Sequence, residues 1–315
     1  MYKIGIDIGG TNIVGAVVDM NGEIVVKKTI PTLSERDNGL IIADIIALCK
    51  SLVGDSPSDI KSIGIGSPGI VNPEKGTVVN AANLGFDDVP LLKMINVELD
   101  YPLHIGNDAN CAALGESVFG AAKGSRHSVT VTLGTGVGGG VIIDGSIYSG
   151  AFFGAGEVGH HIICIGGELC GCGMKGCWEA YASANALIRD TIKAAKDNPL
   201  SHINQLIDND LEGVCAKTAF DAALAGDDVA IAVVERYIDY LCAGLINIIN
   251  ILEPQVVVIG GGVSGQGDGL IEAIEARMDK FALLGERNVK FVVAKLGNDA
   301  GVIGAAQLAE QGVLK

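Results

Sequence analysis

Residues 2–8 alternate apolar and small or polar positions and run straight into Gly9-Gly10-Thr11, the pattern of a strand closed by a tight turn. Residues 13–19 and 24–30 read as two more strands, with Asn21-Gly22 as the hairpin turn between them. Leu40, Ile41, Ala43, Ile45 and Leu48 then recur at helical spacing up to Gly54. A further strand, Ile60 to Ile65, ends in Gly66-Ser67-Pro68-Gly69, and a short one, Leu103 to Ile105, precedes a helix through Ala112, Leu114 and Glu116. A second cycle starts near His127: Val129 to Leu133 is a strand, Gly134-Thr135-Gly136 a turn, and Val137 to Ile143 the returning strand. A long amphipathic helix, Val229 to Leu252, stops at Pro254. The strand Val256 to Ile259 follows, then Gly260-Gly261-Gly262, a helix from about Leu270 and a last helix from near Asp299.

Strands alternating with helices predict an α/β architecture. The strand–glycine turn–strand arrangement occurs twice, at Asp7 and at Leu133, which predicts two related lobes. No low-complexity linker separates them, and the predicted hinge lies near residues 118–126. A length of 315 residues fits two domains and a large core. That core must be aliphatic, because hydrophobic residues make up 49% of the chain and aromatic ones only 4%. The 45 glycines fall largely in short clusters, which points to several ligand loops.

A formal charge of −15 speaks against nucleic acid as a partner. Asp7 interrupts any N-terminal apolar run, and Glu235, Arg236 and Asp239 interrupt the longest one elsewhere. Neither a secretory signal nor a membrane span is expected, and eight cysteines then read as reduced thiols in a cytoplasmic protein.

Asp7-Ile8-Gly9-Gly10-Thr11-Asn12 offers backbone N–H groups to a phosphate, a hydroxyl at Thr11 and an acid at Asp7 able to hold Mg²⁺. Leu133-Gly134-Thr135-Gly136 repeats the arrangement. Either loop alone is ordinary turn chemistry; the pair favours a bound nucleotide. No Gly-x4-Gly-Lys-[Ser/Thr] stretch is present. Gly64-Ile65-Gly66-Ser67-Pro68-Gly69 matches a dinucleotide fingerprint, but Pro73 disfavours the helix that the fingerprint needs.

Asn107-Asp108 stands between a strand and a helix, where either residue would serve as an N-cap. Beside two phosphate loops, Asp108 reads instead as the general base that takes a hydroxyl proton during phosphoryl transfer, with Asn107 positioning it. Farther on, Cys170-Gly-Cys172-x4-Cys177 places three thiols within eight residues, and His160 completes four ligands for a structural Zn²⁺. Such an ion would fix Glu157 and Glu179, whose carboxylates accept hydrogen bonds from sugar hydroxyls. His161 is the competing histidine.

Together, Asp7-Ile8-Gly9-Gly10-Thr11, Asn107-Asp108-Ala109-Asn110, Leu133-Gly134-Thr135-Gly136, Glu157-Val158-Gly159-His160 and the cysteine motif through Glu179 resemble the ROK family of repressors and sugar kinases. The likeness is to its bacterial glucokinase-type members and covers nearly the whole chain. It implies a two-lobe actin-like ATPase (ribonuclease H-like) fold with a ligand cleft between lobes. Residues 1–120 and 298–315 would form the small lobe. Residues 121–297 would form the larger one, with the zinc loop and a dimer surface. It implies Mg²⁺ and ATP as cofactors, a sugar as the small-molecule partner, and a homodimer or homotetramer. Asp108 becomes the base for the 6-hydroxyl of a hexose, most simply glucose. Sugar contacts fall to Gly69, Asn83, Asn107, Asp108, Glu157, His160 and Glu179. Nucleotide contacts fall to Asp7, Gly9, Gly10, Thr11, Asn12, Gly134, Thr135, Gly136, Gly261, Gly262 and Val263. Zinc falls to His160, Cys170, Cys172 and Cys177. Many relatives carry Lys where this chain has Asn12, and many glucokinases carry Trp where it has Phe86. The alternatives are a kinase for N-acetylmannosamine, N-acetylglucosamine, allose or fructose, or a sugar-sensing regulator. The regulators carry an N-terminal helix-turn-helix domain, for which a strand beginning at Tyr2 leaves no room.

Overall fold

A computed structural model describes residues 1–56, 58–278 and 288–311. The chain divides into two compact units. One comprises Met1–Thr130, Gly140–Gly156 and Lys295–Lys315; the other comprises Val131–Gly139 and Glu157–Ala294.

In the first unit, β1 (Tyr2–Ile8), β2 (Asn12–Val18) and β3 (Ile24–Pro31) form an antiparallel meander. Helix α1 (Asn38–Asp55) starts at Asp37, whose carboxylate accepts the Gly39 N–H at 2.8 Å. Its buried Ile41, Ile45, Leu48 and Leu52 form one stripe, packed with Ile4, Ile6 and Ile13 in the main core. Next come β4 (Ile60–Ser67), then β5 (Ile70–Asn72), β6 (Thr77–Ala81) and β7 (Phe86–Val89), which make a small antiparallel sheet of their own. Helix α2 (Leu91–Asn96), β8 (Leu103–Asn107) and α3 (Asp108–Val118) follow. The first sheet has the order β3-β2-β1-β4-β8, with β1, β4 and β8 parallel.

The second sheet begins with β9 (Ser128–Leu133), β10 (Val137–Ile143) and β11 (Ser146–Ile147). Helices α4 (Glu179–Ala182), α5 (Ala184–Asp197), α6 (His202–Leu206), α7 (Thr218–Leu224) and α8 (Asp228–Leu252) lead to β12 (Val256–Gly260), α9 (Asp268–Met278) and β13 (Lys290–Val293). Its order is β11-β10-β9-β12-β13. Trp178, fully buried, anchors the helices of the second unit: its indole N–H donates to the Tyr240 carbonyl at 2.9 Å, and Gly244 of α8 leaves room for the ring.

Helix α10 (Ala300–Gln307) returns to the first unit, and the predicted helix end at residues 312–315 lies outside the described residues. All eight residues of α10 are buried against α3, β1 and β4. This close approach needs small side chains. A Cβ on Gly304 would collide with the Cys111 carbonyl, and one on Gly301 with the Asp7 carboxylate. No described helix is long and apolar enough to cross a membrane. The strands and helices expected from periodicity are present, and α2, β5–β7, β11, α4–α7 and β13 are elements beyond those expected.

Candidate active site

Strand register builds the core of the site in the first unit. Asp7 pairs with Gly66 across β1 and β4, and Gly66 pairs with Gly106 across β4 and β8. Asp108 is the first residue beyond β8, so two carboxylates stand at strand ends with a side-chain-free strand end between them. A Cβ added to Gly66 would lie 3.6 Å from Asp7 Oδ1, 3.6 Å from Asp108 Cα and 3.3 Å from Cys111 Sγ. Gly66 thus keeps open the gap between the acids, a role that a glycine in a strand gives no sequence signal for. Gly66→Ala should lower kcat by roughly 10- to 100-fold through misplacement of reacting groups, with a stability change of only about 1 kcal/mol. Steady-state kinetics and thermal melting would check it; wild-type kcat would show that nothing binds in that gap.

The cap at α3 belongs to Asn107, whose Oδ1 accepts the Asn110 N–H at 3.0 Å. Its Nδ2 donates to the Gly69 carbonyl at 3.0 Å, so Asn107 ties the turn after β4 to the start of α3. Gly69 itself sits at φ 80°, where a side chain would meet the Asn80 carbonyl. Asp108 is thereby relieved of capping, and its Oδ1 accepts the adjacent Ala109 N–H at 2.8 Å. Burial raises the Asp108 pKa above the ordinary carboxylate value, opposed by hydrogen bonds from Ala109 and Asn107. Burial, with repulsion from Asp108, pushes Asp7 up to about 7. Both acids are costly to ionise without a cation nearby, which is how carboxylates in phosphoryl-transfer sites behave.

The Gly9–Asn12 turn is held by a hydrogen bond from the Gly9 N–H to the Asn12 carbonyl, at 2.9 Å. Thr32 clamps it twice, with its hydroxyl on the Gly9 carbonyl at 2.7 Å and its N–H on the Thr11 carbonyl at 2.8 Å. Thr32 is fully buried and some twenty residues from the turn, so sequence spacing does not reveal it. Gly10, Thr11 and Asn12 remain exposed, and Asn83 lies beside Gly10: a Cβ there would be 3.7 Å from the Asn83 amide.

In the second unit, ligand atoms of His160, Cys170, Cys172 and Cys177 lie within 4.8 Å of one another. The Cys172–Cys177 sulfur separation is 3.6 Å, and Cys170 Sγ is 3.7 Å from His160 Nδ1. A tetrahedral ion with Zn–S of about 2.3 Å and Zn–N of about 2.0 Å requires edges of roughly 3.5–3.8 Å, and both of these separations match it. His161 is not part of the cluster. Its ring hydrogen-bonds the Val158 carbonyl and lies 5.2 Å from the Trp178 ring.

Glu179 joins this cluster to the second glycine turn. Its Oε1 accepts the Cys170 thiol at 3.3 Å and its Oε2 the Val137 N–H at 2.9 Å. A Cβ on Gly136 would collide with that carboxylate. Gly159 packs equally closely on the Val137 carbonyl, which brings the Glu157–His160 turn to the same strand. Glu157 is exposed. Gly261, at φ 81°, lies against the Leu133 backbone, so the Gly134–Gly136 and Gly261–Val263 turns are neighbours.

A partly buried carboxylate at the end of a parallel strand, beside a glycine turn and a second acid, is the equipment of an α/β phosphotransferase. The chain belongs to the ROK family, whose profile matches residues 3–312. It has the actin-like fold of the ROK sugar kinases. A glucokinase from Halalkalibacterium halodurans is 41% identical to it over 98% of this chain and 95% of its own length. A ROK family glucokinase from Streptomyces griseus, solved in complex with glucose and AMPPNP, is 35% identical with a TM-score of 0.82, covering 99% of this chain and 100% of that one. A putative xylose repressor from a Caldicellulosiruptor species is 34% identical over 97% of this chain and 77% of its own length.

Proposed function

We propose that this protein is an ATP-dependent hexose kinase of the glucokinase type, with Asp108 as general base toward the 6-hydroxyl. The carrying observation is the row Asp7–Gly66–Asp108: two carboxylates whose ionisation burial disfavours, separated by a glycine. Full-length likeness to glucokinases, one bound to glucose and AMPPNP, supports ATP as donor and glucose as acceptor.

Asp108 accepts the hydroxyl proton as the sugar oxygen attacks the terminal phosphorus of ATP and the bond from that phosphorus to the β–γ bridging oxygen breaks, releasing ADP. Asn107 holds that carboxylate through the cap and the Gly69 turn, and Asn83 and Gly69 contribute sugar contacts in the same unit. Asp7 holds Mg²⁺, which supplies neutralisation of phosphate charge when bound, next to the backbone of Gly9, Gly10, Thr11 and Asn12. In the second unit Gly134, Thr135, Gly136, Gly261, Gly262 and Val263 serve the nucleotide, and Glu157, His160 and Glu179 serve the sugar. His160, Cys170, Cys172 and Cys177 hold a structural zinc ion that keeps the Glu157 and Glu179 segments in register. We assign a cytoplasmic location and a homodimer or dimer of dimers.

A coupled assay of ADP release tests the reading with glucose, N-acetylmannosamine, N-acetylglucosamine, allose and fructose as acceptors. Turnover should be highest with glucose. Preference for another hexose would replace the acceptor, and sugar binding without ADP release would make the chain a sugar-sensing regulator.

A further inference from the structure

Glu116 is a fully buried carboxylate for which phosphoryl transfer gives no use. It lies on α3, about two helical turns beyond Asp108, which begins the same helix. Among the described residues its partners are three backbone N–H groups and no cation. Its Oε2 accepts the Ala121 N–H at 2.7 Å and the Lys295 N–H at 3.2 Å, and its Oε1 accepts the Leu296 N–H at 2.7 Å. Gly120 leaves room for this arrangement, because a Cβ there would collide with Oε2.

The segment that Glu116 grips leads directly to Asp7. From Leu296 the chain passes through the turn Gly297–Asp299 into α10. Gly301, in the first turn of α10, packs so closely on Asp7 that a Cβ would collide with Oδ2. Helix α10 meets α3 just as closely: a Cβ on Gly115 would lie 2.6 Å from the Ala300 carbonyl oxygen, and one on Gly304 would collide with the Cys111 carbonyl. Glycines allow this approach but offer no side chain to stop one helix sliding along the other. At the far end of α10, Lys3 Nζ donates to Gln307 Oε1 at 2.8 Å. At the Asp7 end, the ion pair of Lys27 with Asp299 is partly exposed and adds little, which leaves Glu116 as the fastening.

A buried carboxylate is costly to desolvate, and an apolar side chain of similar size would pack there at lower cost. What the acid alone supplies is a pair of oxygens that answers three N–H donors on two separate segments. We infer that Glu116 is a positioning residue for the kinase reaction: by tying residues 295–296 to α3, it sets how α10 presses on Asp7 and so where the Asp7 carboxylate stands relative to Asp108. The inference rests on the reading of Asp7 as the Mg²⁺ group and Asp108 as the base. Asp108 begins α3, so one side chain keeps the helix of the base and the helix behind Asp7 in a fixed relation.

Three variants of the full chain test the role. Glu116→Gln keeps the side-chain shape and one acceptor oxygen, and is the variant expected to keep the fold. Glu116→Ala removes both oxygens, and Gly120→Ala displaces the carboxylate with a methyl group. Hydrogen exchange should show the Ala121, Lys295 and Leu296 amides losing protection in each. The affinity for Mg²⁺·ADP, measured by calorimetry, should weaken by about tenfold, and kcat should fall by roughly 10-fold in Glu116→Gln and about 100-fold in Glu116→Ala, as for a reacting group misplaced by about an ångström. Glucose affinity should stay within about twofold of wild type, since the bonds of Asn107 to Asn110 and Gly69 do not involve Glu116. Unchanged amide protection would overturn the role. So would equal losses of glucose and Mg²⁺·ADP binding, or wild-type kcat and Mg²⁺·ADP affinity once protection is lost. Wild type that releases no ADP with any hexose would defeat the kinase reading alone, because amide exchange and Mg²⁺·ADP binding still decide what Glu116 does.

Discussion

Asp108→Asn should lower kcat by roughly 100- to 10,000-fold, the usual contribution of a positioned base, while sugar still binds. The substitution keeps the shape of the side chain, and the Asn107 cap and its bond to Gly69 do not depend on the Asp108 charge. Near-normal kcat would remove Asp108 from the base role. The same variant should melt at a higher temperature than wild type at pH 7. Burial raises the folded-state pKa of Asp108, so the folded state holds its proton at pH values where the unfolded chain has released it. Stability attributable to this group is therefore full below the unfolded pKa and is lost as pH rises toward the folded one. Asparagine removes that loss, and each kcal/mol regained corresponds to roughly 2–4 °C. In wild type, kcat/KM of the free enzyme should fall as pH drops through an acid limb lying above the ordinary carboxylate range, because the base must be ionised to work.

Cys172→Ala should abolish stoichiometric zinc and sharply weaken sugar binding. This cysteine separates metal binding from packing, because it is exposed whereas Cys170 and Cys177 are buried. Without an ion, alanine at an exposed position would change stability by no more than about 0.5 kcal/mol. With one, a tetrahedral site loses a ligand, and the loops carrying His160 and Glu179 lose their common fastening. Metal analysis of the purified protein, with melting before and after chelation, would read the difference. Active protein lacking zinc, or an unchanged melting temperature on chelation, would dismiss the ion. Glu179 adds a second readout: an ion that takes the Cys170 thiolate also releases Oε1 from the thiol proton it accepts.

The parts of the site that sequence made legible are those in which neighbours along the chain do the work. Gly9-Gly10-Thr11 declares a turn because the strand pattern stops there, and Cys170, Cys172 and Cys177 declare a cluster because three soft ligands crowd eight residues. Asp108 was ambiguous for a physical reason: Asn107 and Asp108 are both good caps, and only the hydrogen bond from the Asn110 N–H to Asn107 assigns the roles. Gly66, Thr32 and Gly301 were silent. Each acts on residues far away in the chain, respectively Asp7 with Asp108, the Gly9 turn, and Asp7.

By itself, then, the sequence determined the α/β class, the duplicated strand–turn–strand units, the metal-type donor set and the candidate base. All of these follow from local periodicity and from residue chemistry at short spacing. Tertiary structure alone decided which strands lie side by side, and therefore that Asp7 and Asp108 flank a glycine and that Asp108 adds to the cost of ionising Asp7. It also decided that α10 returns to the first unit and is buried against α3, β1 and β4. Register between strands and burial of charge depend on contacts across the whole chain, and no window of sequence contains them.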